Sequence, residues 1–96
     1  MKKKFALVSP LANEEDTIAE FVSAIQEVLD DLGTGEVFFV IDNVSKDNTL
    51  QCCRELEQHD PRFHTVWAPE NKNVVDAYLR GYKEALKFSL LSRFLK

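Results

Sequence analysis

The sequence predicts an α/β domain with three layers, in which helices cover both faces of a parallel sheet. Two observations support this prediction. Short apolar segments alternate with longer segments of helical periodicity in the order β-α-β-α-β-α, and only short polar connections separate them. The 96 residues suffice for one small domain, so residues 1–96 are expected to fold as a single unit.

The first strand and the first helix are predicted within residues 5–33. The apolar segment Phe5–Pro10 ends in a proline, which suits a buried strand. Asn13 is expected to cap the helix, with acidic residues 14–16 in the first turn, where the helix dipole favours negative charge. Apolar residues then recur at steps of three and four up to Leu32. Gly33 stands where a helix-ending glycine belongs.

The second strand and helix follow directly. Residues Glu36–Ile41 are apolar on both faces, which is typical of a parallel strand covered on both sides. Ser45 or Asp47 is expected to cap the second helix, which should end near Asp60.

The third strand is predicted at Phe63–Pro69, and the third helix from about Asn73 towards Phe88. Residues 87–96 are expected to form an atypical tail. Trp67, Tyr78 and Tyr82 are expected to pack in or near the core. Apolar residues at helical spacing mark the third helix: Val75, Tyr78, Leu79, Tyr82, Ala85 and Leu86.

Alternating strands and helices imply a Rossmann-like parallel sheet with right-handed crossovers. Ligands of such sheets bind outside the carboxyl ends of the strands. Polar segments follow all three predicted strands, at residues 9–15, 42–49 and 68–73. Each segment alone could be a turn that starts a helix, but their convergence at one edge favours a ligand site.

The composition excludes several classes of function. The net charge of −4 argues against a nucleic-acid partner, and the apolar segments are too short to span a membrane. No long apolar segment follows the basic start, so a signal peptide is not expected and a cytoplasmic location is. Cys52 and Cys53 are adjacent within a helical pattern and have no metal-ligand spacing, so they are interpreted as reduced, structural thiols.

The three polar segments resemble those of family 2 glycosyltransferases with the GT-A fold. Pro10, Asn13 and Glu14 match a Pro-x-x-Asn-Glu type turn after the first strand. The segment after the second strand resembles Asp-(Asp/Asn)-x-Ser-x-Asp-x-Thr, and the matching residues are Asp42, Asn43, Ser45, Asp47 and Thr49.

The resemblance continues after the third strand and covers about residues 4–86. Asn71 matches the first position of an Asn-x-Gly turn, and Asn73 replaces its glycine. Ala77 and Gly81 match an Ala-x-x-x-Gly pattern in the third helix. The sequence departs from the family at Ala12, where relatives often have an aromatic residue, and at Val44, where glycine is usual.

This resemblance implies that the chain binds a nucleotide-sugar donor, such as a UDP- or GDP-sugar. Asp42 is implied to contact the base, since a carboxylate only accepts hydrogen bonds and a pyrimidine imide N–H is a donor. For each implied residue a structural alternative exists, namely turn closure, helix capping or, for Lys72, a solvated loop. The residues implied for nucleotide binding are Pro10, Asn13, Glu14, Asp42, Asn43, Ser45 and Lys72.

Other parts of such an enzyme are not predicted in this sequence. Family relatives use Mg²⁺ or Mn²⁺ held by carboxylates after a fourth strand, but no aspartate or glutamate follows Leu86. No catalytic residue, metal ligand or cofactor is therefore assigned. We expect the amino-terminal, nucleotide-binding half of a glycosyltransferase, without activity on its own. The alternative is a non-catalytic α/β module that serves self-association or partner binding.

The sequence also predicts self-association. In the GT-A fold the first strand lies inside the sheet, whereas here no later strand is predicted to cover it. An open, apolar strand edge favours pairing with another chain. A homodimer or higher oligomer is expected, joined across the first strand and the carboxyl-terminal residues. Apolar residues expected to lack a partner in that terminal segment are Phe88, Leu90, Leu91, Phe94 and Leu95.

Overall fold

The computed structural model describes residues 5–42 and 45–94, with side chains up to residue 90. Over these residues the chain forms strands and helices in the predicted alternating order. They are β1 (Ala6–Pro10), α1 (Ile18–Leu32), β2 (Glu36–Ile41), α2 (Thr49–His59), β3 (Phe63–Trp67) and α3 (Val74–Phe94).

The three strands form one parallel sheet in the order β1-β2-β3. In the shared register Val8 pairs with Phe38, and Phe38 pairs with His64. The predicted α/β class and the parallel sheet are confirmed. Within the described residues β1 is an edge strand, as the sequence indicated.

Alternate residues of β2 point to opposite faces of the sheet and so define two cores. Val37, Phe39 and Ile41 pack with α1 and α2 on one face. Phe38 and Val40 pack with α3 on the other. The result is the predicted arrangement of three layers, with two helices above the sheet and one below it.

Helix α1 begins later than the sequence predicted. Its first residue is Ile18, and the carbonyl of Glu14 accepts hydrogen bonds from the N–H groups of Thr17 and Ile18. Asn13 is therefore not the helix cap, and acidic residues 14–16 precede the helix. Gly33 ends the helix as predicted, because its left-handed φ of 72° lets its amide bond the Leu29 carbonyl at 2.8 Å.

Helix α3 contacts the sheet through its small residues rather than its large apolar ones. Ala77 and Gly81 are buried, and a Cβ atom at position 81 would lie 2.3 Å from Cγ1 of Val8 and 3.0 Å from Cγ2 of Val40. The glycine thus permits a close approach of helix to sheet. Most apolar residues that mark the helix in the sequence are consequently exposed, namely Val75, Tyr78, Leu79, Tyr82 and Leu86.

The expected tail from residue 87 is instead the continuation of α3, which extends to Phe94. The expectation that Phe88 lacks a partner is wrong, because its ring lies 6.0 Å from that of Phe38 and 4.7 Å from that of His64. Leu90 is exposed. The side chains of Leu91, Phe94 and Leu95 lie outside the described ones.

None of the helices among residues 5–42 and 45–94 combines the length and apolarity needed to cross a bilayer.

Candidate functional site

An open cavity of about 420 Å³ lies at the carboxyl ends of β1 and β2, where the amino-terminal end of α3 meets them. Its position follows from the topology, since parallel strands end at one edge and the helix returning beneath them starts there. The lining residues come from the end of β1 (Ser9, Pro10, Leu11, Ala12, Glu14), from β2 and its end (Val40, Asp42) and from the start of α3 (Asn73, Val74, Ala77, Tyr78).

The structure brings three of the predicted nucleotide-binding residues together at this cavity: Pro10, Glu14 and Asp42. Asp42 is half-buried directly after β2, and its carbonyl accepts a hydrogen bond from the Ser45 amide at 3.2 Å. Of the other four, Asn13, Ser45 and Lys72 do not line the cavity. Asn43, together with the divergent Val44, lies outside the described residues.

Asn13 joins the segment after β1 to the segment after β2. Its backbone is left-handed with φ 56°, a conformation that asparagine tolerates better than most residues. Its backbone amide donates to Ser45 Oγ at 3.2 Å. Its side-chain Oδ1 accepts from the Lys46 backbone amide at 2.8 Å. Asn13 and Ser45 therefore hold these two segments together, and neither caps a helix.

A second set of hydrogen bonds ties the same segments to the start of α2. The amide of Glu14 donates to Thr49 Oγ1 at 2.8 Å, and the amide of Glu15 donates to Asp47 Oδ2 at 3.1 Å. Asp47 Oδ1 also accepts from the Thr49 hydroxyl and amide. These bonds, first of all that from the hydroxyl, lower the pKa of Asp47. Asp47 and Thr49 thus close the turn that leads into α2.

Glu14 lies between two depressions in the surface. Besides the cavity described above, it borders a neighbouring cavity of about 400 Å³ between β1 and α1. One of its carboxylate oxygens accepts a hydrogen bond from the Thr17 hydroxyl at 3.0 Å. The Glu14 side chain is exposed, and this hydrogen bond holds its carboxylate at the rim of the two cavities.

The start of α3 is capped by its own side chains. Asn73 Oδ1 accepts from the Asp76 amide at 2.9 Å, and Asp76 Oδ2 accepts from the Lys72 amide at 3.0 Å. This reciprocal pair resembles a capping box. It occupies the backbone amides of Lys72 and Asp76, and it places Asp76 in the first turn of the helix.

Sequence reasoning missed the contribution of Val74 and Tyr78 to the cavity wall. Tyr78 is 40% exposed, whereas a packing role was expected for it, and Trp67 and Tyr82 are likewise exposed. This contribution could have been predicted, because α3 was expected to begin beside the carboxyl ends of the strands. The first turns of a helix in that position line the cavity there. The outward direction of Tyr78 follows from the small residues Ala77 and Gly81, which occupy the contact with the sheet.

Residues 5–42 and 45–94 contain no group of three or more His, Cys, Asp or Glu residues that could hold a metal ion.

The two cysteines have the environment of structural residues. Cys53 is buried against the sheet, and this burial raises the pKa of its thiol to about 12. Burial also raises the pKa of Cys52. Both thiols are free, which agrees with the sequence interpretation.

Comparison with known proteins gives one finding. The family model described as Glycosyl transferase family 2 matches residues 6–87, which include every element from β1 to most of α3. No match was found to a curated protein or to a solved structure.

Proposed function

The chain belongs to glycosyl transferase family 2, and from this premise we propose that its cavity binds the nucleotide of a nucleotide-sugar donor, a UDP- or GDP-sugar. Glycosyl transfer is the reaction of the family. The observation that supports the proposal most is the position of Asp42, at the end of the central strand and on the wall of the cavity.

Asp42 is proposed to accept a hydrogen bond from the base. An ionised carboxylate only accepts, and both uracil and guanine have a ring N–H donor on their Watson–Crick edges. A hydrogen bond to a charged acceptor is stronger than a neutral one, so a half-buried carboxylate at this point can select such bases. The Asp42 carbonyl accepts a hydrogen bond from the Ser45 amide in the turn after β2.

The walls of the cavity suit a planar base. Pro10 and Leu11 lie on the β1 side, and Val74 and Tyr78 lie on the α3 side. Their apolar surface can pack against a base, and the cavity volume of about 420 Å³ lies within the range of small-molecule sites. Small Ala12 leaves this space open, where relatives often place an aromatic ring.

The remaining predicted residues are proposed to act around this contact. Glu14 is placed to meet the ribose or base from the rim. Asn13 and Ser45 act as positioning residues, since their mutual hydrogen bond holds the segments that bear Glu14 and Asp42. Lys72 is exposed and adjacent to Asn73 on the cavity wall, so its ammonium group is the proposed contact for the diphosphate.

Isothermal titration of the purified chain with UDP, GDP and their sugars tests this proposal. We expect weak binding, with a Kd of roughly 0.1–1 mM, because only the exposed Lys72 is proposed to meet the diphosphate. Added Mg²⁺ or Mn²⁺ should change the affinity little, since the described residues lack a cluster of metal ligands. Micromolar binding that depends on the metal would contradict this expectation.

The variant Asp42→Asn should reduce the affinity about tenfold or more, because an amide replaces the charged acceptor. Asp31→Asn makes the same chemical change at an exposed position of α1 and serves as the matched control. If both variants bind as the unchanged chain does, Asp42 is a turn residue and the proposal is wrong.

A further inference from the structure

The wall of the candidate cavity has hydrogen-bonding side chains from different elements of the fold. Asp42 is half-buried at the end of β2, and Asn73 is exposed just before α3. An ionised carboxylate has about four acceptor sites and no donor. The part of the wall that Asp42 forms therefore favours a ligand that presents adjacent N–H groups.

Asn73 contributes a hydrogen-bond donor whose direction is set by the helix cap. Only the oxygen of its side-chain amide can accept the hydrogen bond from the Asp76 backbone amide, at 2.9 Å. This bond turns Oδ1 towards the first turn of α3, and Nδ2 lies on the other side of the planar amide group. Within residues 5–42 and 45–94 the Nδ2 group makes no hydrogen bond. It is therefore available to donate to a ligand in the cavity.

The side chains of Asp42 and Asn73 match the Watson–Crick edge of guanine. On that edge the amino group and N1–H are adjacent donors, and O6 beside them is an acceptor. The carboxylate of Asp42 can accept from both donors, as a carboxylate accepts from the N–H groups of an arginine, while Asn73 Nδ2 donates to O6. Every polar group on this edge of the base then has a partner.

Uracil matches the same side chains less well. Its one ring donor, N3–H, lies between two carbonyl oxygens, so the second carboxylate oxygen of Asp42 faces a carbonyl oxygen and repels it. Cytosine and adenine present an acceptor nitrogen where the carboxylate requires a donor. A buried polar group that is left without a partner lowers the affinity, so these side chains discriminate among the bases.

The size of Ala12 favours the larger base as well. Ala12 contributes only a methyl group to the wall of the cavity. Guanine has two fused rings and needs more space than the single ring of uracil. The cavity of about 420 Å³ lies within the range of small-molecule sites, and the small side chain at this position leaves room for the second ring.

We propose that the cavity selects guanine, so that the ligand is a GDP-sugar rather than a UDP-sugar. Asp42 accepts hydrogen bonds from N1–H and from the amino group, and Asn73 Nδ2 donates to O6. This inference rests on the proposed nucleotide site and narrows its ligand to one base.

Calorimetric titration of the 96-residue chain with GDP, IDP and UDP tests the selection. IDP differs from GDP only in lacking the amino group. GDP is expected to bind roughly fivefold more tightly than IDP and roughly tenfold more tightly than UDP, because each hydrogen bond that is lost lowers the affinity by about such a factor. Asp42→Asn should reduce the difference between GDP and IDP, since the amide replaces an acceptor by a donor.

The outcomes separate this inference from the proposed function. If UDP or IDP binds as tightly as GDP, the selection of guanine is overturned and the proposed nucleotide site stands. If none of these nucleotides binds, both proposals are overturned.

A second comparison isolates the contact of Asn73. In 6-thio-GDP sulfur replaces O6 and is a weaker acceptor, so this nucleotide should bind the unchanged chain roughly fivefold more weakly than GDP. Asn73→Gly removes the side-chain donor at little cost to the helix and should make both nucleotides bind alike. Asn48→Gly makes the same change at the start of α2, outside the cavity, and should preserve the difference. Circular dichroism establishes that each variant folds. A difference that persists in Asn73→Gly would overturn the role of Asn73.

Discussion

The two edges of the sheet differ in what completes the backbone hydrogen bonds of their strands. At β3, the Arg62 carbonyl and the Ala68 amide bond β2, so the amides of Phe63 and Thr65 point outward. The Phe63 amide donates to the Asp60 carbonyl at 3.1 Å, and the Thr65 amide donates to the Glu57 carboxylate. At β1, the outward amides of Ala6 and Val8 have no such partner within the described residues.

The flanks of the two edges differ as well. Near β3, the Arg62 guanidinium bonds Asp30 at 2.9 Å and Asp60 at 2.8 Å. Charged groups beside an edge strand disfavour pairing with another chain. Near β1 the exposed side chains of the flanking helices are apolar, among them Val28 of α1 and Tyr78 of α3. The comparison teaches that, within the described residues, groups outside the strands complete the backbone hydrogen bonds of the β3 edge.

The largest expected effect concerns Asp60, whose carboxylate joins α1 to the start of β3. Its carboxylate accepts hydrogen bonds from Arg62 and from Gln26, and the bonds from the Arg62 side chain lower its pKa to about 2. Asp60→Asn should lower the free energy of unfolding by about 2 kcal/mol near neutral pH. Urea unfolding measures this loss, and Asp31→Asn is the exposed control.

The pH dependence of that difference gives a further check. Because the folded pKa of Asp60 is depressed, its contribution is complete above its ordinary value of 3.8 and declines as the pH falls towards about 2. The gap in unfolding free energy between the unchanged chain and Asp60→Asn should therefore narrow over this window. A gap that stays constant from pH 6 to pH 2 would argue against the ion pair.

A smaller effect is expected at Glu57, which completes the edge of β3. Glu57→Ala leaves the Thr65 amide without its acceptor and should cost about 1 kcal/mol of unfolding free energy. Amide hydrogen exchange of Thr65 should accelerate, whereas Glu57→Gln retains an acceptor oxygen and should preserve most of the protection. Equal exchange in all three proteins would mean that Glu57 does not close this edge.

The fold could be predicted from the sequence because its signals are local. The alternation of apolar and helical segments fixed the order of the elements, and the end of α1 at Gly33 follows from glycine's access to left-handed backbone. The burial of α3 could not be predicted from its apolar periodicity. Gly81 and Ala77 permit a close contact with Val8 and Val40, and this depends on the sheet rather than on the helix itself.

The candidate site was predictable in its position but less so in the roles of its residues. The ends of parallel strands converge, so Pro10, Glu14 and Asp42 were expected at one edge and lie there. Asn13 was predicted to cap α1 because a cap is identified in a sequence by its position just before a helical segment. In the structure its left-handed backbone turns it to Ser45, 32 residues away, and such non-local hydrogen bonds leave no periodic signal.

The proposed function requires that the nucleotide binds at the carboxyl ends of β1 and β2. An NMR titration tests this position most directly. Amide resonances of the ¹⁵N-labelled chain are followed as UDP or GDP is added. Shifts are expected in the amides of residues 11–14, Asp42 and residues 73–78, with Thr65 at the β3 edge unchanged. Shifts centred on the β3 edge, or none at about 5 mM nucleotide, above the weakest affinity proposed, would contradict it.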